Sequence, residues 1–512
     1  MKRTNNSSQK AIVIGAGLGG LAMAALLAER GYAVTVLEKN DQLGGRAGLL
    51  KVDGFTFDTG PSWYLMPEVF EHFFELFGEK VSDYLDLIKL DPSYRIFFKD
   101  SGLAPVDITG RLEEDIPKFE ALEPGVTPRL RDYLKRSEYQ YKVAMGGFVY
   151  KNYDSIKDFL SLRMAVEGTK LRVFMRMEKY VKRFFKSDAV QKIMQYTLVF
   201  LGSSPYNTPA LYSIMSHVDF NVGVFYPRGG IYELTKALEK LGKKRGVEYR
   251  CNAPVQQIVV DKGEAKAVIL ADGTELTADI VVSNGDIHHT EMQLLPEEAR
   301  SFTADYWKKR VLAPSGFMLY LGVEGRIPSL THHNLIFCRD WKENFGQIFD
   351  TPHDLPTDPS FYVCAPSVTD DSVAPKNMEN LFVLVPIAAN LKLSQEQLDR
   401  YEDQILATME REMGVENLRS RIVVKRRASG DDFAKQFNSL GGTALGLAHT
   451  LSQTAIFRPN TVSKKVRNLY YVGANTNPGI GMPMVLISAE LVLKRLMGDT
   501  SAEPLDPAKM KA

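Results

Sequence analysis

Cysteine is scarce, with three residues in a chain of 512. Cys251, Cys338 and Cys364 are scattered and form no C-x-x-C, which excludes a disulfide framework and implies buried thiols in a reducing cytoplasm. No uninterrupted apolar run reaches the roughly 18 residues that would span a bilayer, and the Ser/Asn/Lys start lacks the apolar stretch of a secretory signal. Net charge is missing too. Lys and Arg number 63 against 62 Asp and Glu, so no whole-protein field argues for nucleic acid as a partner. No Gly-x-Ser-x-Gly elbow is present. The adjacent pairs His288-His289 and His332-His333 lack the i, i+4 spacing of a helical metal site and would point opposite ways on a strand, so no metal is expected. A chain of this length is too long for one core and calls for two or three domains.

What is present starts at the N-terminus. Residues 11–14 form a short apolar run that predicts a buried parallel strand, and Gly15, Gly17 and Gly20 follow it with G-x-G-x-x-G spacing. The first glycine permits the tight turn, the second lets backbone approach a pyrophosphate, and the third lets the next helix pack against the strand with its N–H groups facing phosphate. Glu38 ends the second predicted strand, roughly 20 residues on, where a carboxylate accepts hydrogen bonds from ribose hydroxyls. Strand, glycines, Ala/Leu-rich helix and terminal acid together predict a site for an ADP-bearing cofactor.

The continuation separates nicotinamide from flavin. Gly44-Gly45 allows a second close backbone approach, and Arg46 offers a charge to a pyrophosphate or a flavin ring. Far downstream, residues 468–490 read as strand, glycine-rich loop and helix, with Pro483 suited to the helix's first turn. A helix N-terminus aimed at the pyrimidine side of a flavin would stabilise the negative charge of reduction.

E-K-N-D-Q-L-G-G-R-A-G with F-D-T-G-P-S, Y-P-R-G-G at 226–230, and V-G-A-N-T-N-P-G-I-G-M-P-M near the end together resemble the bacterial phytoene desaturase family of carotenoid enzymes over nearly the whole chain. Several members carry His where this chain has Asn477. The resemblance implies an α/β fold: a discontinuous Rossmann-like FAD-binding domain, a mixed-sheet substrate domain and a helical region able to associate with a membrane. It places FAD binding in 1–90, 226–300 and 431–500, the helical region in 91–225, the substrate domain in 301–430 and a flexible tail in 501–512. FAD would be held by Gly15, Gly17, Gly19, Gly20, Glu38, Lys39, Gly44, Gly45, Arg46, Gly60, Pro61, Val255, Gly473, Ala474, Asn475, Met482, Pro483 and Met484, with Val255 meeting the adenine through its backbone.

The resemblance also implies a reaction. Hydride would leave an allylic carbon of an acyclic carotenoid such as phytoene, a proton would follow from the neighbouring carbon, and conjugation would extend toward lycopene. Quinone or oxygen would take the electrons, and no side chain is assigned as the catalytic base. Related readings are carotenoid isomerisation, terminal or C30 carotenoid oxidation, a soluble amine oxidase, and a prenyl-lipid carrier without flavin chemistry. The intact glycines, Glu38 and C-terminal loop weigh against the carrier.

The tract 170–186 carries Phe174, Met177, Val181, Phe184 and Phe185 on one side of a helical projection and Arg172, Arg176, Lys179, Arg183 and Lys186 on the others. Such a basic amphipathic helix can lie in a headgroup plane, which would make this a cytoplasmic protein attached peripherally to a membrane surface. The same pattern also suits a solvated basic face on a helix packed against the substrate domain. The sequence leaves the oligomeric state open.

Overall fold

A computed structural model describes residues 8–154, 172, 175–350 and 354–511. Its first layer is a five-stranded parallel sheet in the order Leu469–Tyr471, Ile280–Ser283, Lys10–Ile14, Ala33–Leu37, Glu248–Arg250. The N-terminal strand sits in the middle, with Val13 opposite Val282 on one side and Val36 on the other. Burial on both faces explains its unbroken apolar run. The following helix, Leu18–Glu29, is buried along residues 18–27 and shares one core with helices Tyr232–Lys243 and Met482–Met497. Segments from the start, middle and end of the chain therefore build one layer.

A second layer is a seven-stranded mixed sheet, ordered Ile422–Ala428, Ser315–Glu324, Met378–Ile387, Phe361–Cys364, His333–Phe337, Tyr94–Phe98, Val106–Ile108. All its neighbours are antiparallel except His333–Phe337 with Tyr94–Phe98. A three-stranded antiparallel sheet, Val255–Asp261, Glu264–Leu270 and Glu275–Thr277, flanks the first layer.

Three expectations are corrected. Region 91–225 is not simply helical, because Tyr94–Phe98 and Val106–Ile108 extend the seven-stranded sheet: Tyr94 and Ile96 point into its core and Phe97 into the opposite one. Residues 501–510 are not a loose tail. Leu505 and Met510 are buried in the first layer's core, Arg30 donates to the carbonyls of Lys509 and Met510, and the buried Lys494 ammonium donates to those of Ser501 and Glu503. Phe174, with most of the start of the 170–186 tract, lies outside the described residues. From residue 175 on, the tract is a short helix, Met177–Val181, whose Met177 and Val181 are buried together with Phe185, and Phe184 and Phe185 pack edge-on against Tyr133. Met177, Val181, Phe184 and Phe185, expected to enter lipid, pack in or against the protein core, and Lys179, Lys182, Arg183 and Lys186 form a solvated basic face.

Candidate active site

One cavity of about 1140 Å³ runs from the carboxyl ends of the parallel strands to the inner face of the mixed sheet. Sixteen of the eighteen residues expected at the cofactor line it, and Gly20 and Asn475 stand behind its wall. Gly20 is a packing residue: a Cβ there would lie 2.1 Å from the Gly15 carbonyl oxygen. Asn475 is committed elsewhere, since its amide accepts from Leu447 N–H at 2.9 Å and donates to Asp286 at 3.2 Å.

At the first end the wall is mostly backbone. Gly17 and Gly44 cross as a parallel bridge, with Gly44 N–H donating to the Ala16 carbonyl at 2.8 Å. Gly44 has φ +107°, and a Cβ on it would come within 2.4 Å of the Ala47 oxygen. Glu38, almost fully buried, accepts from the N–H of Ala16 at 2.8 Å and of Asn40 at 2.9 Å. Val255 stands beside it, because Ala253 N–H donates to the Glu38 carbonyl. Lys39 donates to the Lys435 carbonyl and to Asn438, tying this end to helix Gly430–Phe437.

Two helices aim uncapped N-termini at the cavity. Leu18–Glu29 begins after Gly17 and Met482–Met497 after Gly481, each without a side-chain cap and without an acid in its first turn. Both leave N–H groups and positive helix ends for an anion. Arg46 lines the same cavity. Its guanidinium donates to Ser439 at 3.0 Å, its Nε is buried without a partner, and burial pulls its pKa down against the opposing pull of Asp286. An orphaned buried guanidinium N–H, two open helix ends and a glycine cradle fit a dinucleotide carrying a pyrophosphate and an anionic ring.

The sequence reading missed three contributors. Asn284 and Asp286 line the cavity, and Asn284 donates to the Gly15 carbonyl. Their signal was available, because strand Ile280–Ser283 runs parallel to Lys10–Ile14 and its carboxyl end opens on the same crevice. Arg458 is buried and donates to the carbonyls of Thr476, Gln453, Leu447 and Ala474, clamping two loops together. Burial draws its pKa down to about 10. The Y-P-R-G-G element lies outside the cavity: Tyr226 and Gly229 N–H bind Asp370, while Asp58 accepts the N–H groups of Ile231 and Tyr232.

The second end is apolar and aromatic, lined by Trp63, Tyr196, Leu335, Phe337, Phe345 and Leu384 among others, and no carboxylate lines it among the described residues. Trp63 stacks on His333 at 4.3 Å between ring centroids. Behind Trp63 the ligand atoms of His332, His333 and Cys364 lie within 4.8 Å of one another. His332 precedes its strand and so escapes strand alternation, which is why adjacency misjudged this pair. Burial holds both imidazoles neutral; His332 bonds Thr369 at 2.9 Å and His333 bonds the Tyr362 hydroxyl at 2.7 Å.

A family described as flavin containing amine oxidoreductase matches residues 18–495. The chain is 48% identical over 494 residues to a carotenoid 3,4-desaturase of Haloarcula japonica, covering 96% of this chain and 99% of that one. It is 39% identical over 496 residues to a zeta-carotene-forming phytoene desaturase of Myxococcus xanthus, covering 96% and 95%. A putrescine oxidase structure bound to putrescine, 13% identical, superposes with a TM-score of 0.63 over 96% of this chain and 99% of that one. The chain belongs to the flavin containing amine oxidoreductase family and, within it, to the carotenoid desaturases.

Proposed function

We propose that this protein is an FAD-dependent desaturase that removes hydride and proton from an acyclic carotenoid to extend its conjugation. The observation that carries the reading is the continuity of one cavity from the glycine cradle to an aromatic, carboxylate-free end. Such a cavity suits a long hydrocarbon that must reach a redox cofactor without meeting water.

FAD, when bound, supplies the acceptor for hydride leaving an allylic C–H. Gly15, Gly17, Gly19 and the N-terminus of helix Leu18–Glu29 would hold its pyrophosphate, Glu38 its ribose, and Val255 its adenine. Gly44, Gly45, Arg46, Gly60 and Pro61 would border the ring, while Gly473, Ala474 and the helix end at Met482, Pro483 and Met484 would face its pyrimidine side. The open helix end and Arg46 would favour negative charge on a group held between the cradle and the C-terminal loop. Along the apolar end, Tyr196, Phe337 and Phe345 exclude water and hold the polyene's orientation. Among the described residues no carboxylate lines that end, which suits loss of the proton from a cation spread over the existing conjugation, without a strong protein base.

No helix among the described residues is long and apolar enough to cross a membrane. Leu451 and Phe457 line the cavity yet are 43% and 55% exposed, which suits a mouth resting on a membrane surface. Electrons would pass from the cofactor to quinone or oxygen.

The test is pigment analysis of a carotenoid-free bacterial host that makes phytoene, with and without this protein. Absorption bands at longer wavelength establish the desaturase and count its steps. Unchanged phytoene beside folded, FAD-loaded protein moves the substrate to a later acyclic carotenoid, supplied in a second host, and no change in either host defeats the reading.

A further inference from the structure

Among the described residues, one group of three metal-ligating side chains meets at a point, and strand register builds it. His333 stands directly opposite Cys364 in the antiparallel pairing of His333–Phe337 with Phe361–Cys364, so the two side chains share a face, and Cys364 Sγ lies 3.8 Å from His333 Nδ1. His332, one residue before the strand, sets its ring edge-on to that of His333 at 4.5 Å between centroids. All three are buried, with exposures of 3% for His332, 0% for His333 and 4% for Cys364, and none of them lines the cavity.

The hydrogen bonds leave ligand atoms over. His332 uses Nδ1 on the Thr369 hydroxyl and His333 uses Nδ1 on the Tyr362 hydroxyl, while Nε2 of each ring is buried without a partner. With Nδ1–H given to the Thr369 oxygen, His332 keeps an Nε2 lone pair that nothing in the protein fills, an unfavourable state for a buried group. An outer hydrogen bond at one ring nitrogen, which fixes the tautomer and frees the other nitrogen, is how an imidazole is prepared as a metal ligand. The Tyr362 hydroxyl has Cys364 as well as His333 beside it, so it can turn from Nδ1 to the sulfur when an ion takes Nδ1.

The dimensions and the donor set point to the same class of ion. Metal bonds of about 2.3 Å to sulfur and about 2.0 Å to nitrogen, opened to about 110–120°, hold S and N roughly 3.5–3.8 Å apart. Cys364 Sγ and His333 Nδ1 are already at 3.8 Å, and His332 closes the triangle within 4.8 Å. Two neutral imidazoles and a thiolate are soft donors that suit Zn²⁺ or Cu(I), whereas Mg²⁺ and Ca²⁺ take oxygen ligands. Binding displaces the thiol proton to solvent. Asp370 is close enough to His332 for its charge to be felt there, which offsets the excess positive charge of a divalent ion.

We propose that His332, His333 and Cys364 form a buried three-ligand site for a thiophilic cation, Zn²⁺ or Cu(I). The ion fixes the His333 ring on which Trp63 stacks, and through Trp63 it fixes one wall of the cavity. The Ser62 and Tyr362 hydroxyls stand beside Cys364, and both residues line the cavity, so an entering ion meets polar groups on its way to the site.

The experiment uses the FAD-loaded protein, purified without a polyhistidine tag or chelator from cells grown with added zinc and, separately, with added copper. Metal per chain is measured by elemental mass spectrometry after gel filtration. The expected result is about one zinc or one copper per chain, falling about tenfold or more in both Cys364→Ala and His332→Gln with flavin content retained. The ion found decides between the two. X-ray absorption at the edge of the bound metal should show one sulfur at about 2.3 Å and two nitrogens at about 2.0 Å, a readout on the wild type alone that serves if a variant fails to fold. The proposal is overturned by wild type that is metal-free from both cultures and takes up neither added Zn²⁺ nor Cu(I) under a thiol-free reductant, by metal retained equally in both variants, or by an absorption spectrum without sulfur. No polyene enters these measurements, so their outcome is separate from that of the desaturase test.

Discussion

The two ends of the cavity are built from different materials. The cofactor end is mostly backbone: glycines without side chains, two uncapped helix starts and peptide N–H groups, with Glu38, Lys39, Arg46 and Asp286 as the charged additions. The polyene end is side chain, with rings from strands and helices far apart in sequence meeting over the mixed sheet. A cradle for phosphate needs main chain to come close, and a slot for a hydrocarbon needs bulk. The two ends should therefore fail in different ways.

The sharpest break is at Gly44. In Gly44→Ala the new Cβ meets the Ala47 oxygen at a φ that disfavours any side chain, and the crossing of Gly17 and Gly44 must open. FAD content, read as the ratio of flavin to protein absorbance, should fall about tenfold or more, with the mixed sheet's secondary structure retained. Full flavin occupancy in this variant would contradict a cradle made by backbone approach.

Next in size is Arg458→Met. Four carbonyls would lose their buried guanidinium donor, at a cost of roughly 1–3 kcal/mol for each one left unsatisfied, offset in part because a desolvated cation is removed. The denaturant midpoint should drop, and heating should release flavin fluorescence earlier than in the wild type, because the clamped loop carries Ala474. A midpoint equal to that of the wild type would remove Arg458 from the frame.

Asp219 tests the polyene end. It accepts from the hydroxyls of Tyr94 and of the cavity-lining Tyr196, and burial pushes its carboxyl up to about 7. The folded protein thus keeps a proton that the unfolded chain releases from about pH 4 upward. Stability should fall as pH rises between these values and level off above about 7, by a few kcal/mol at most. Asp219→Asn should flatten the slope of Tm between pH 5 and 8 while leaving flavin content unchanged. A slope as steep as the wild type's would show that another group sets it.

The same division explains what could be read from the chain alone. Gly15, Gly44 and Glu38 are demanded by local geometry within a few dozen residues, so their spacing is visible. Arg458 and Asp286 act across loops that only the folded sheet brings together. Trp63, in the loop after strand Phe55–Asp58, meets Tyr362 nearly 300 residues away, and no periodicity relates them. The amphipathic reading of 170–186 failed at Met177, Val181 and Phe185 for a related reason: an apolar stripe has the same period whether it faces lipid or Tyr133. Leu505 and Met510 were overlooked because two anchors in a short, charged stretch form no pattern, although each is buried.

The smallest expected effect sharpens the comparison most, because it changes one atom. Glu38 gives one carboxylate oxygen to Ala16 N–H and the other to Asn40 N–H and to the Asn40 amide. In Glu38→Gln one oxygen becomes an NH₂ that must face an N–H donor, and the charge that favours ribose hydroxyls is gone. The FAD dissociation constant should rise about tenfold, equivalent to about 1.4 kcal/mol, as measured by flavin titration of the apoprotein. The aromatic end shares no hydrogen bond with Glu38, so polyene binding to the reduced, flavin-saturated variant should match the wild type. A parallel loss of polyene affinity would mean that the two ends are coupled through the loops between them, and the division into a backbone cradle and a side-chain slot would have to be abandoned.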